Sequence, residues 1–259
     1  MAKIRPDYEN SWWPRLMQWL KLYETIGIRN AVLHCDSMHE RTDLTEDEIY
    51  AHNVAVLRQI QELSAGMKIR ICLENLGKIC RNADPLCAIL DQLDPDRFGI
   101  CLDTGHLNLN DKDQAGFIRK AGKRLRALHI ADNEGERDQH MMPFGRGTVD
   151  FEKVVAALRE IDYHGLFNLE IPGERLAPMP VRGYKLEYIR KCYEYLMGGE
   201  TLGGLFLEKK SSPRPPQKNR SWGGFDTAFV RLPWWQPHKV RVNRGGRRPE
   251  IFLYLLLMG

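Results

Sequence analysis

Three features are scarce in this sequence, and each scarcity excludes a class of protein. The six cysteines, Cys35, Cys72, Cys80, Cys87, Cys101 and Cys192, form no CxxC pair. Cys72 and Cys101 sit inside apolar runs, where a free thiol behaves as a small hydrophobe. No disulfide framework is expected, and a reducing, cytoplasmic setting is. Membrane-spanning length is missing too: the longest apolar run, IFLYLLLMG at residues 251–259, falls well short of the roughly 20 residues a bilayer requires. No membrane partner is expected. The opening stretch MAKIRPDYENSWWPR has no apolar core behind its positive charge, so no signal peptide is read there.

A strong charge of one sign is the third absence. The net charge of +4 is unevenly spread: residues 198–259 hold 11 Lys/Arg against 4 Asp/Glu, a local +7. Residues 1–197 hold 27 against 30, or −3. The mildly acidic body argues against a nucleic-acid face there.

What is present is an alternation of helix-like and strand-like segments between residues 12 and 197. WWPRLMQWLKLYETIG reads as an amphipathic helix stopped by Gly27. NAVLH follows as a short apolar run, and Thr45 with Glu48 forms a capping box for a helix from about 46 to 65, ended by Gly66. IRICLE is a continuous apolar strand. A helix from about Pro85 to Leu93 leads to FGICLD, and one from about 113 to 122 leads to LRALHIA. Asp150 can cap the helix FEKVVAALREI. GLFNLE is expected as the fifth strand, and the helix YKLEYIRKCYEYLM ends at Gly198–Gly199.

Strands alternating with helices imply βαβ units and a parallel sheet, and nearly unbroken apolar strands imply a sheet covered on both faces. The five runs finish in order on His34, Glu74, Asp103, His129 and Glu170. In a (β/α)8 barrel the C-terminal strand ends are where active sites are built. Taken singly, a strand-ending Asp or Glu more often caps the next helix, and a lone His129 is more often a satisfied core histidine. Jointly, Glu74, Asp103, His129 and Glu170 point to one divalent-metal site. A buried carboxylate needs a partner to stay charged. Three carboxylates and an imidazole suit Mn²⁺ or Mg²⁺, with Co²⁺ or Zn²⁺ as further options.

The segments ICLEN, FGICLDTGH, ALHIADN, DQHMMPFGRGTVDF and FNLEI occur in this order. Together they resemble the xylose isomerase-like TIM barrels, a superfamily of sugar-phosphate isomerases and epimerases that includes the endonuclease IV type of abasic-site nuclease. The resemblance covers about residues 12–197. It implies that Glu74, Asp103, His129 and Glu170 match shared metal ligands and that His106 matches a substrate-contacting histidine. His140 and Arg146 then match the loop that closes over the ligand, and His34 a histidine at a strand end. His106 can alternatively orient Asp103, Asp138 can serve as a loop ion pair or a site group, and Asp132 and Asn133 read as turn or supporting residues.

The resemblance also implies an incomplete (β/α)8 TIM-barrel type, about five βα units over residues 1–199, with an irregular basic tail over residues 200–259. Glu170 would end strand eight and His34 strand four. Nothing before residue 12 reads as strands one to three, a shortfall of about 80–90 residues at about 30 per unit. Such a fragment is expected to dimerise or to fold loosely, making a homo-oligomer the natural partner.

The chemistry expected is proton transfer beside a carbonyl through an enediolate, with Glu74 and Glu170 as base and acid. The substrate would be a small polyhydroxylated compound or sugar phosphate, and the role one in carbohydrate metabolism. The alternatives are an endonuclease IV-like phosphodiesterase on abasic DNA, with His34, His106, Asp138 and His140 helping to hold further metals, and an inactive remnant.

Overall fold

The computed structural model describes residues 2–3, 12–35, 43–77, 79–173 and 176–198; the expected tail, residues 200–259, lies outside them. The architecture is α/β. Strands β1 (Ala2–Lys3), β2 (Asn30–His34), β3 (Arg70–Glu74), β4 (Phe98–Asp103) and β5 (Leu125–His129) lie side by side in sequence order, every pair parallel. Helices α1 (Trp13–Thr25), α2 (Glu46–Leu63), α3 (Ala83–Leu90), α4 (Thr104–Asn108), α5 (Gln114–Ala121), α6 (Phe151–Glu160) and α7 (Met179–Leu196) fill the connections and follow the last strand. None of the described helices is long and apolar enough to cross a membrane.

Local chemistry sets the helix starts. Thr45 and Glu48 form the expected capping box at α2, and Asp113 and Asp150 cap α5 and α6 through hydrogen bonds from Gly116 N and Lys153 N. α1 carries a proline in its first turn, where the missing N–H has no intrahelical partner to lose. Its end is followed by Gly27 at φ 84°, a conformation that costs a glycine little.

Alternation along the strands divides the core. Leu33, Ile71, Leu73, Ile100, Leu102 and Leu128 join one buried cluster with Leu57, Ile60, Leu86, Ile89, Ile118 and Leu158 of the helices. The residues between them turn to the other, concave face: Val32 beside Cys72, Cys101 beside Ala127 and Asp103 beside His129. The sheet curls as barrel sheets do. Asn30 of β2 donates from Nδ2 to the Arg126 carbonyl of β5 at 3.0 Å, reaching across two intervening strands. All six cysteines are buried.

Two strand expectations are corrected. Ala2–Lys3 pairs in parallel with Leu33 and His34, so a short strand does precede residue 12. GLFNLE, expected as a full strand, reduces to a single parallel bridge between Ile130 and Leu169. Its two hydrogen bonds, Ile130 N to Asn168 O at 2.7 Å and Glu170 N to Ile130 O at 3.0 Å, both fall just past the end of β5. No ladder propagates from there, yet the bridge is enough to seat Glu170 beside the other strand ends.

Candidate metal centre

Glu74, Asp103 and His129 are the last residues of β3, β4 and β5, and Glu170 follows the Leu169 bridge directly. One ligand atom from each of these four lies within 4.8 Å of every other. Glu74 and Asp103 are fully buried and His129 is nearly so. Burial of three carboxylates together is costly unless positive charge joins them.

The hydrogen bonds leave two carboxylate oxygens of the cluster unsatisfied. His129 Nδ1 lies 3.0 Å from Glu74 Oε1 and 2.7 Å from Glu170 Oε2, and one ring nitrogen cannot donate to both. Asp103 divides its two oxygens: Oδ1 accepts from His106 N at 2.8 Å, capping α4, while Oδ2 is buried with no hydrogen-bond partner. Glu170 Oε2 also lacks hydrogen-bond geometry to any donor. Asp103 is therefore both the helix cap its position suggests and a group with one oxygen to spare. Burial, reinforced by the charges of Glu74 and Glu170, pushes its carboxyl up to about 6. For Glu74, burial is outweighed by hydrogen bonds from His129 and His34, which hold the carboxyl below its usual range. Two orphaned oxygens and a ring nitrogen between carboxylates form a donor set that fits a hard or borderline divalent ion.

His34 lies against this four-residue group: its Nε2 contacts Glu74 Oε2, while Oε1 faces His129. His106 and His140 sit beside it, joined by Asp138, whose Oδ2 lies 3.2 Å from His106 Nε2 and 3.0 Å from His140 Nε2. A carboxylate only accepts, so both nitrogens carry hydrogen. His140 also donates from Nδ1 to the Glu170 carbonyl at 3.1 Å. With both nitrogens donating it is an imidazolium, and the bond to Asp138 lifts it to about 9. His106 Nδ1 is left buried without a hydrogen-bond partner, 3.5 Å from Glu74 Oε1. His106, Asp138 and His140 form a second group with ligand atoms within 4.8 Å of one another.

Arg146 is not brought to this cluster. Its Nε pairs with Glu134 Oε1 at 3.2 Å and its side chain is 70% exposed, on the outer part of the loop. Asp132 and Asn133 anchor that loop: Asp132 Oδ1 accepts from Asn133 N and Val149 N, and Asn133 Nδ2 donates to Gly105 O. Two supporting residues had no role in the sequence reading. Asn75 bonds both backbone groups of Asp103, and Thr104 bonds both of Ala131. Each directly follows an expected ligand, within the segments ICLEN and FGICLDTGH.

Comparison with known proteins places the fold. An L-ribulose 3-epimerase from Methylomonas sp. (strain DH-1) is 31% identical over 124 residues, 46% of this chain and 41% of that protein. The chain spans only 41–51% of the length of the first curated relatives it matches. A crystal structure of a D-tagatose 3-epimerase-like protein matches with a TM-score of 0.59 at 23% identity, over 77% of this chain and 78% of that one. A crystal structure of the IolI protein with a bound zinc atom matches at 0.58 and 18% identity, over 73% and 70%. At these identities the structures show the fold alone. The family model for xylose isomerase-like TIM barrels matches residues 6–192, and the chain belongs to that family.

Proposed function

We propose that this chain carries the metal side of a divalent-metal-dependent sugar or sugar-phosphate isomerase or epimerase, with a polyhydroxylated keto compound as substrate. The observation that carries the reading is the convergence of Glu74, Asp103, His129 and Glu170 on one point with two carboxylate oxygens unsatisfied. The relative named as an L-ribulose 3-epimerase supports a keto-sugar substrate. Sugar-epimerase relatives do not favour the abasic-DNA reading. Mn²⁺ or Mg²⁺ are the proposed occupants, and Co²⁺ or Zn²⁺ also suit the donor set.

A divalent ion held by these four residues supplies Lewis-acid stabilisation of the negative charge that builds up as a proton leaves the carbon beside a carbonyl. The chain's own groups do the rest. Glu74 and Glu170 are the proposed base and acid. The His34 contact holds Glu74 Oε2, so Oε1 is the atom turned to the centre. His106 Nδ1, buried without a hydrogen-bond partner and 3.5 Å from Glu74 Oε1, is proposed to meet a substrate hydroxyl. Asp138 fixes its ring and that of His140, and His140 brings positive charge to an otherwise acidic site.

Metal analysis of purified protein should find about one divalent ion per chain after Mn²⁺ loading. Glu170→Gln should lower epimerisation of ketose substrates by at least 10²-fold with the fold retained by circular dichroism. A protein that takes up no divalent ion under loading would sink the reading, and an active Glu170→Gln variant would remove Glu170 from the proton-transfer pair.

A further inference from the structure

The ligand-bearing strands end unusually. Ordinary ladder bonds stop with the strands, yet two side chains continue the pairing one step further. Asn75, next after Glu74, accepts at Oδ1 from Asp103 N at 2.6 Å and donates from Nδ2 to Asp103 O at 2.9 Å. Thr104, next after Asp103, accepts at Oγ1 from Ala131 N at 3.0 Å and donates to Ala131 O at 2.6 Å. One joins β3 to β4 and the other β4 to β5, and Asn75 and Thr104 are buried at 1% and 0% exposure. The reciprocal partners, one N–H and one C=O each, fix which way the Asn75 amide points.

We propose that Asn75 and Thr104 are positioning residues of the metal centre, side-chain rungs that hold three ligand-bearing strand ends in one register. The proposal rests on the metal reading above. Asn75 sits between two expected ligands in bonding terms: it follows Glu74 in the chain and clamps the backbone of Asp103. Thr104 carries the same clamp onward to the strand bearing His129, gripping Ala131 two residues past that ligand. Neither side chain faces the centre as a ligand, and neither titrates. Their effect on the site is geometric: they set how far apart Glu74, Asp103 and His129 stand. Supporting hydrogen bonds of this kind commonly change metal affinity by about 10–100-fold when removed.

The test compares metal affinity with thermal stability. Mn²⁺ affinity is measured by calorimetric titration, and the visible spectrum of the Co²⁺-loaded protein reports coordination geometry. Asn75→Ala and Thr104→Val, the latter isosteric without the hydroxyl, should each weaken Mn²⁺ binding about 10–100-fold and alter the Co²⁺ spectrum. Thr104→Ser, which keeps the hydroxyl, should restore affinity to within about threefold of the parent. Ser64→Ala is the structural control. Ser64 is buried and bonds Ile60 O and Arg97, so its removal should lower the melting temperature and leave Mn²⁺ affinity unchanged. Parent-like affinity and spectra in Asn75→Ala and Thr104→Val overturn the proposal, whatever their melting temperatures. If Thr104→Val fails to fold, the comparison of Thr104→Ser and Asn75→Ala with the parent decides it. A parent protein that binds no metal would instead refute the reading beneath.

Discussion

At the residue scale, the site depends on side chains that divide their atoms between two tasks. Asp103 caps α4 with one oxygen and keeps the other buried without a hydrogen-bond partner, toward the proposed metal centre. Asp138 holds His106 and His140 through one oxygen. Asp132 anchors the loop that brings Asp138 and His140 into place, and its carboxylate can approach the chain only because residue 147 is glycine. A Cβ at Gly147 would sit 2.1 Å from Asp132 Oδ1. A flexible carboxylate could swing away, but this one is held by backbone N–H groups of Asn133 and Val149 at 2.8 and 3.1 Å. Gly147→Ala must therefore break those bonds or shift the loop. It should cost about 1–3 kcal/mol, read in urea denaturation, and should weaken substrate binding through His140. An unchanged midpoint would show the loop to be more yielding than its hydrogen bonds imply.

At the element scale, the caps can be tested one at a time. Asp150 starts α6 by accepting from Lys153 N at 3.1 Å. That backbone bond, with help from the Lys153 side chain, lowers its carboxyl below the usual aspartate range. Asp150→Ala should cost about 0.5–2 kcal/mol. A depressed carboxyl adds stability that is present above the unfolded-state value near 3.9 and disappears as pH falls through the folded-state value beneath it. The parent and variant should thus differ at neutral pH, and the gap should begin to close as pH falls below about 4. A gap that persists in acid would mean that the loss is one of packing.

Elements with strong local signals were legible in the sequence, and those decided by long-range contact were not. The capping box at Thr45 and the apolar runs at β3, β4 and β5 stood out because each rests on adjacent residues. α4 was missed because TGHLN has no apolar period; the helix exists because Asp103 caps it. GLFNLE looked like a strand by composition, but a ladder needs a neighbour along its whole length. Ala2–Lys3 is too short to show any pattern. The same division runs through the site. The placing of Glu74, Asp103 and His129 at strand ends follows from the apolar runs before them, whereas the Asp138 clamp and the position of Arg146 beside Glu134 depend on a loop whose path sequence spacing does not fix.

At the scale of the whole molecule, the proposed metal centre is where the curled sheet brings its carboxylates together, so a bound cation should stabilise the entire fold. Asp103, pushed up to about 6, shows the sign. An acid raised above its unfolded value favours folding below about pH 4 and loses that contribution as pH rises through about 6. Ionised Asp103 thus weighs against the fold at neutral pH unless a counter-charge is present. A divalent ion at 100 times its Kd should add about 2.7 kcal/mol. For a domain of this size that corresponds to a rise of about 5–10 °C in Tm, reversed by EDTA. Below about pH 6 the ion must displace the Asp103 proton, so the rise should shrink there. Glu170→Gln, which removes a ligand charge without adding bulk, should lose most of it. Scanning calorimetry with Mn²⁺, Mg²⁺, Co²⁺ and Zn²⁺ at pH 5 and 8 makes the comparison, and Tm values indifferent to all four ions at both pH values would show that the histidines around these carboxylates, rather than a cation, balance their charge.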